Sequence, residues 1–172
     1  MTRRAVVRVV ARVVFSVLAL LALYFLLPMD EGLSPRPIAF LTLGLVALAA
    51  LTAFQVRSIL GSDTPGLRAI EALAVSVPLL VILFATMYFV ASYQDVDSFN
   101  EPLNKADALY FAVTTFSTTG FGDIAAKSQV MRMTVTAQMA IDLVVIGFGI
   151  RIVLGAAKIG RARVGQITID AD

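Results

Sequence analysis

The sequence predicts an all-α membrane protein, with four transmembrane helices and a short re-entrant helix between the third and the fourth. Three observations predict it. Hydrophobic residues make up 59% of the 172-residue chain and charged residues 15%, with a mean hydropathy of +0.88; a soluble domain has about a quarter of its residues charged. So few polar side chains cannot cover a surface that faces water. Four apolar stretches are long enough, or nearly so, to cross a ~30 Å hydrocarbon layer, which takes roughly 20 residues of helix. A fifth apolar piece, about eleven residues or ~16 Å as helix, is too short to cross.

The first span covers residues 9–27 and closes at Pro28. It is no cleaved secretory signal, because no small-x-small pattern surrounds Pro28-Met29-Asp30. The second covers 38–56 behind Pro37, the third 69–92 with Pro78 inside it, and the fourth 130–157. Charge sets the orientation. Arg3, Arg4, Arg8 and Arg12 precede the first span, Arg57 and Arg68 flank the loop after the second, and Lys158, Arg161 and Arg163 follow the fourth. The other side carries Asp30, Glu31, Asp95, Asp97, Glu101, Asp107 and Asp123. Both termini are therefore expected in the cytoplasm of a cell that holds this multi-pass chain in its plasma membrane. Arg4, Arg8 and Arg12 lie at the mouth of the first span, where arginines snorkel as anchors, rather than inside it as in a voltage sensor. The organisation is a basic cytoplasmic N-terminus (1–8), two N-terminal helices with their loops (9–68), a second membrane unit (69–157) and a short cytoplasmic tail (158–172) that offers no soluble regulatory domain.

The chain has neither Cys nor His. That removes thiolate nucleophiles, disulfides, imidazole bases and Cys/His zinc sites together. An intramembrane enzyme would then need a pair of carboxylates, and only Asp142 lies deep in a span. The expectation is a non-enzyme with no organic cofactor and no nucleic-acid partner, surrounded by lipid.

The connection between the third and fourth spans carries the chemistry. It is polar over residues 93–104 and apolar again over 106–116. Asn104 is a good N-cap, and Asp107 three residues later sits where an acid favours the helix dipole. A short helix thus enters the membrane and stops, followed by Ser117-Thr118-Thr119-Gly120-Phe121-Gly122-Asp123. Glycines at alternate positions let the backbone run extended with its carbonyls turned one way. Non-helical backbone at membrane depth survives only if protein buries it or water and ions meet it. A row of carbonyls can replace the hydration shell of a monovalent cation. One copy cannot surround an ion; four copies around an axis can.

The segment Thr118-Thr119-Gly120-Phe121-Gly122-Asp123 resembles the signature filter of the potassium channels, T-V-G-Y-G-D in its commonest form, and Ala108 to Ser117 resembles their pore helix. The resemblance covers residues 69–157 as outer helix, pore helix, filter and inner helix, and leaves the first two spans aside. It implies a homotetramer, since the chain has one filter, with dehydrated potassium ions held by the carbonyls of Thr118, Thr119, Gly120 and Phe121 and by the Thr118 hydroxyl. It implies that Gly122 and Asp123 complete the filter, and that Asp123 accepts a hydrogen bond from Tyr110. Thr119 stands where the family usually has Val, so its hydroxyl faces away from the axis and needs a partner. Phe121 stands in place of Tyr, Phe111 is apolar where relatives often have a donor aromatic, and Thr114 takes the place of a buried acid found in some of them. A prokaryotic membrane fits the Arg-over-Lys usage and short tails.

In the fourth span Thr134, Gln138 and Asp142 recur every fourth residue, one polar stripe on a helix. Such a stripe turns inward, toward water or another helix. Asp142 lies about thirteen residues in, ~20 Å and near mid-membrane, where the resemblance puts a hinge glycine. A charge facing lipid there costs at least ~2.5 kcal/mol. Asp142 therefore faces a hydrated cavity or is packed and hydrogen-bonded, with Gln138 as the nearest partner. Gly147 and Gly149 offer flexibility or close packing below it. The expected function is passive, potassium-selective conduction. The alternatives are a non-selective or sodium-conducting channel on the same fold, and a non-conducting membrane subunit.

Overall fold

The computed structural model describes residues 3–26 and 65–169. The second expected span, 38–56, and the loops around it lie outside them. Four helices make up the described residues: α1 (Arg3–Leu26), α2 (Pro65–Gln94), α3 (Lys105–Phe116) and α4 (Gln129–Ile169), with a 3-10 turn at Val96–Ser98. Two of them contain segments long and apolar enough to cross a membrane, Ala72–Gln94 in α2 and Gln129–Arg151 in α4. The charge-free apolar part of α1, Val13–Leu26, is shorter.

Pro65 starts α2 at a position whose N–H has no helical partner in any case. The helix runs on through Pro78, which removes one backbone bond toward Ala74, a loss that membrane helices tolerate where neighbours pack around it. This helix is the hub and packs against α1, α3 and α4. Its buried Leu80, Val81, Phe84, Tyr88 and Phe89 meet Phe99, Ala108, Phe111, Met131 and Val135 in one core. At its centre Tyr88, Phe99 and Phe111 contact one another edge-on, with ring centroids 5.1 to 5.8 Å apart. Each such pair is worth about 0.5–1.5 kcal/mol beyond the area it buries.

Two features extend the sequence reading. The fourth helix does not stop near residue 157 but continues to Ile169. The basic stretch 158–169, expected as a tail, holds no proline, and its Gly160 and Gly165 each weaken a helix without ending it. And α1 is tied to the beginning of α3. The Tyr24 hydroxyl, buried, donates to the Lys105 carbonyl at 2.8 Å, while the Lys105 ammonium donates to the Phe25 carbonyl at 3.2 Å and lies 5.9 Å from the centroid of the Phe89 ring. The last carbonyls of α1 thereby gain a cationic partner.

Candidate functional site

The site begins with the cap of α3. Asn104 accepts from the Asp107 N–H at 3.0 Å and Asp107 accepts from the Asn104 N–H at 3.1 Å, a reciprocal capping box. It fixes where the helix starts, and twelve residues later the helix ends at Phe116. The carbonyls of the last turn are taken up at once by the chain that follows. Val113 accepts from the Ser117 N–H, Thr115 from the Thr118 N–H, and Thr114 from both Thr119 and Gly120, at 2.8 to 3.3 Å. The end of the short helix is thus the inner anchor of the segment 118–123.

The backbone of that segment alternates in hand. Thr118, Gly120 and Gly122 have φ of 58°, 52° and 79°, and no other residue in the described chain has positive φ. Glycine reaches this region freely, but a β-branched residue there is an outlier that costs roughly 1–2 kcal/mol. Alternating the hand at successive residues turns successive peptide planes the same way. Positive φ at Gly120 and Gly122 is the freedom for which the glycine spacing provides, and Thr118 adds a third such position. Strain of this kind persists only where the surroundings over-determine it.

Side chains support the segment from three directions. The Thr119 hydroxyl finds its partner in Ser117 Oγ at 2.9 Å, and Ser117 Oγ also donates to the Thr114 carbonyl at 3.2 Å. Tyr110 donates to Asp123 Oδ2 at 2.8 Å, and its ring stacks on Phe121 with centroids 6.2 Å apart and planes 6° from parallel. The Tyr110 hydroxyl, and after it the Ile124 N–H, hold the Asp123 carboxyl below its ordinary value. From the outer loop, Asn100 reaches the Asp123 carbonyl and the Ala125 N–H. Phe111 is buried in the aromatic core with Tyr88 and Phe99, and also borders the hollow that the segment lines. Thr114 is also buried, and its hydroxyl turns back to the Phe111 carbonyl at 3.0 Å, so it serves the segment through its backbone. Phe121 is 69% exposed and borders an open hollow of about 410 Å³ with Thr115, Gly120, Met139 and Leu143.

Within the subunit the polar stripe of α4 is largely buried, and Asp142 also borders the hollow that Gly120 and Phe121 line. Gln138 and Asp142 are 0% and 1% exposed, on one buried edge with Met131 and Val135 that faces α2 and α3. The Tyr88 hydroxyl donates to Gln138 Oε1 at 2.5 Å, and Gln138 Nε2 donates to the Ala112 carbonyl at 3.1 Å. This side chain therefore joins all three helices of the unit. Thr134 donates to its own helix, to Val130. Asp142 lies beside Gln138, yet neither carboxylate oxygen makes a hydrogen bond among the described residues. Periodicity marks the stripe but not which inward direction it takes, and the Tyr88 and Ala112 groups waiting inside the subunit decide that. Gly147 is exposed, with no described atom near the position of an added Cβ, whereas at Gly149 that position lies 3.7 Å from Leu73 of α2. Sequence reasoning missed Tyr88 and Asn100. A tyrosine deep in an apolar span was the available signal for the first; Asn100 sits in a polar loop that offered none.

Residues 76–157 match the family model described as ion channel. The matched region runs from the middle of α2 through α3 and the segment 118–123 into α4. No solved structure matches the chain. This region is thus similar to ion-channel domains, and it contains most of the two helices whose length and composition suit a membrane span.

Proposed function

We propose that this protein is a potassium-selective channel, and that it conducts passively through a homotetrameric pore with Thr118-Thr119-Gly120-Phe121-Gly122-Asp123 as its filter. The observation that carries the reading is the alternating backbone at Thr118, Gly120 and Gly122, set directly on the end of a capped helix too short to span. In this reading the carbonyls of Thr118, Thr119, Gly120 and Phe121, with the Thr118 hydroxyl, take the place of water around the ion. Four-fold assembly rests on the single filter segment in the chain, and Val130, Met133, Leu143, Val144 and Phe148, uncovered on α4, are apolar surface that lipid or a neighbouring subunit covers. Four spans with both termini in the cytoplasm complete the proposal, on the strength of the Arg and Lys placement, and the Arg-over-Lys usage suits a prokaryotic cell.

Ion flux from purified protein in liposomes tests the reading. Potassium flux that barium blocks, with little sodium flux, is the expected result. Equal sodium flux replaces it with a non-selective channel, and absence of any flux with a non-conducting subunit. Native mass spectrometry should give about four times 18.4 kDa; a stable monomer or dimer in lipid ends the pore reading.

A further inference from the structure

The inner end of the filter is held by the last turn of α3, through the backbone bonds of Ser117 to Gly120. Its outer end is held differently. Among the described residues, two side chains hydrogen-bond to Asp123: Tyr110 to its carboxylate and Asn100 to its carbonyl. Asn100 does more than one bond's work. Its Nδ2 donates to the Asp123 carbonyl at 2.5 Å, its Oδ1 accepts from the Ala125 N–H at 2.7 Å, and its own N–H donates to the Ala125 carbonyl at 3.0 Å. The amide side chain thus behaves as a peptide unit placed beside the chain, fixing the backbone on both sides of Ile124.

Asn100 rests on a rigid base. Phe99 before it is buried against Tyr88 and Phe111. Ser98 before that is buried, donates through Oγ to the Ala91 carbonyl at 3.3 Å, and accepts through its carbonyl from the N–H groups of Lys127 and Ser128 at 2.9 and 3.3 Å. A line of contacts therefore runs from the end of α2 to the residue that closes the filter. Phe121 has no hydroxyl to add a tie of its own.

We propose that Asn100 is a positioning residue for ion selectivity, a brace from the outer loop that holds the Asp123 carbonyl and so keeps the strained filter in its conducting conformation. This rests on the reading of residues 118–123 as a potassium filter. Strained backbone relaxes when the contacts that over-determine it are removed. Only an amide fits the pattern, because one atom must donate and the other accept.

The test uses the full-length protein in planar bilayers, with Asn100→Asp and Asn100→Ala beside the wild type. Asn100→Asp keeps an acceptor for the Ala125 N–H but has no donor for the Asp123 carbonyl, so the loop retains part of its own bonding. Both variants should assemble as the wild type does, while the potassium-to-sodium permeability ratio falls by about tenfold, as expected for one or two neutral hydrogen bonds lost from one of two states. Raising external potassium should restore selectivity, because an ion bound to the ordered filter favours it by mass action. General damage to the loop would not respond to potassium in that way. Wild-type selectivity and potassium dependence in both variants would overturn the brace. So would a loss that external potassium does not restore. A wild type without potassium selectivity overturns the filter reading itself, and the brace with it.

Discussion

Gln138 offers the sharpest test of how the subunit is built, because it is wholly buried and touches two other helices. Its two bonds are not equivalent. The Ala112 carbonyl lies inside α3 and keeps its helical partner four residues on when the amide is removed. The Tyr88 hydroxyl is buried with Gln138 as its partner and would be stranded. Gln138→Leu should therefore destabilise the protein by about 1–3 kcal/mol, the cost of one buried polar group left unpaired. Tyr88→Phe should cost a similar amount by stranding Gln138 Oε1. The double variant strands neither of these, so its loss should be smaller than the sum of the two by roughly 0.6–1.7 kcal/mol, the range that such couplings reach in membrane proteins. The measurement is a double-mutant cycle on thermal unfolding in one fixed lipid mixture. Additive losses would refute the contact, and with it the account of why the α4 stripe turns into the subunit.

The remaining predictions address the proposed filter and its supports. Gly120→Ala meets no atom within 4 Å, so its whole cost is conformational, a Cβ at φ +52° worth about 1–2 kcal/mol; assembly should survive and potassium flux should collapse, and normal flux would undo the filter assignment. Tyr24→Phe removes the donor to the Lys105 carbonyl and should lower stability by about 0.5–1.5 kcal/mol, with faster hydrogen exchange at the start of α3; unchanged exchange would show that α1 is not tied there. Asp123 has a depressed folded pKa, so the stability it contributes is fully present above the ordinary value of 3.8 and is lost as external pH falls through the lower folded value. Tyr110→Phe removes the main cause, so in a melting-temperature series the loss below the ordinary value should shrink, whereas an unchanged profile would remove Tyr110 as the cause.

Much of the site was legible because its signals are local. The Asn104 and Asp107 cap, the length of the short helix and the alternate glycines each follow from a few adjacent residues, and the α3 boundaries agree with them. The pairing of Tyr110 with Asp123 joins residues thirteen apart, and it was reached through resemblance to a family pattern. What stayed hidden is what depends on the packing of distant elements. The direction of the Gln138 edge is set by Tyr88, fifty residues earlier in sequence. The reach of Asn100 depends on the loop being folded back along residues 123–128, which involves few backbone bonds and no periodic pattern. Thr118 at positive φ could not be foreseen from its type, since β-branched residues avoid that region.

Asp142 decides between two pictures of the inner helix. A ring of carboxylates on a hydrated cavity would concentrate cations below the filter and hold internal polyvalent blockers. Asp142 is 1% exposed within the subunit, beside Gln138 and along the edge that faces α2 and α3, which favours the packed picture, while its place on the border of the hollow lined by Gly120 and Phe121 keeps the first one open to test. The packed picture makes opposite predictions for Asp142→Asn, which keeps the shape and removes the charge. Neither carboxylate oxygen has a partner among the described residues, and an isolated polar or charged group in such surroundings costs at least about 1–3 kcal/mol. The amide is the cheaper group to bury, so Asp142→Asn should raise the melting temperature, by about 2–4 °C for each kcal/mol recovered in a chain of this size. Outward conductance and block by internal magnesium should be unaltered, because no charge on the conduction path has changed. Single-channel recording with internal magnesium, together with a thermal melt of the same preparation, separates the pictures. Weakened block with an unchanged melt would put the carboxylate on the cavity after all, and would mean that assembly rotates α4 away from the packing it has within one subunit.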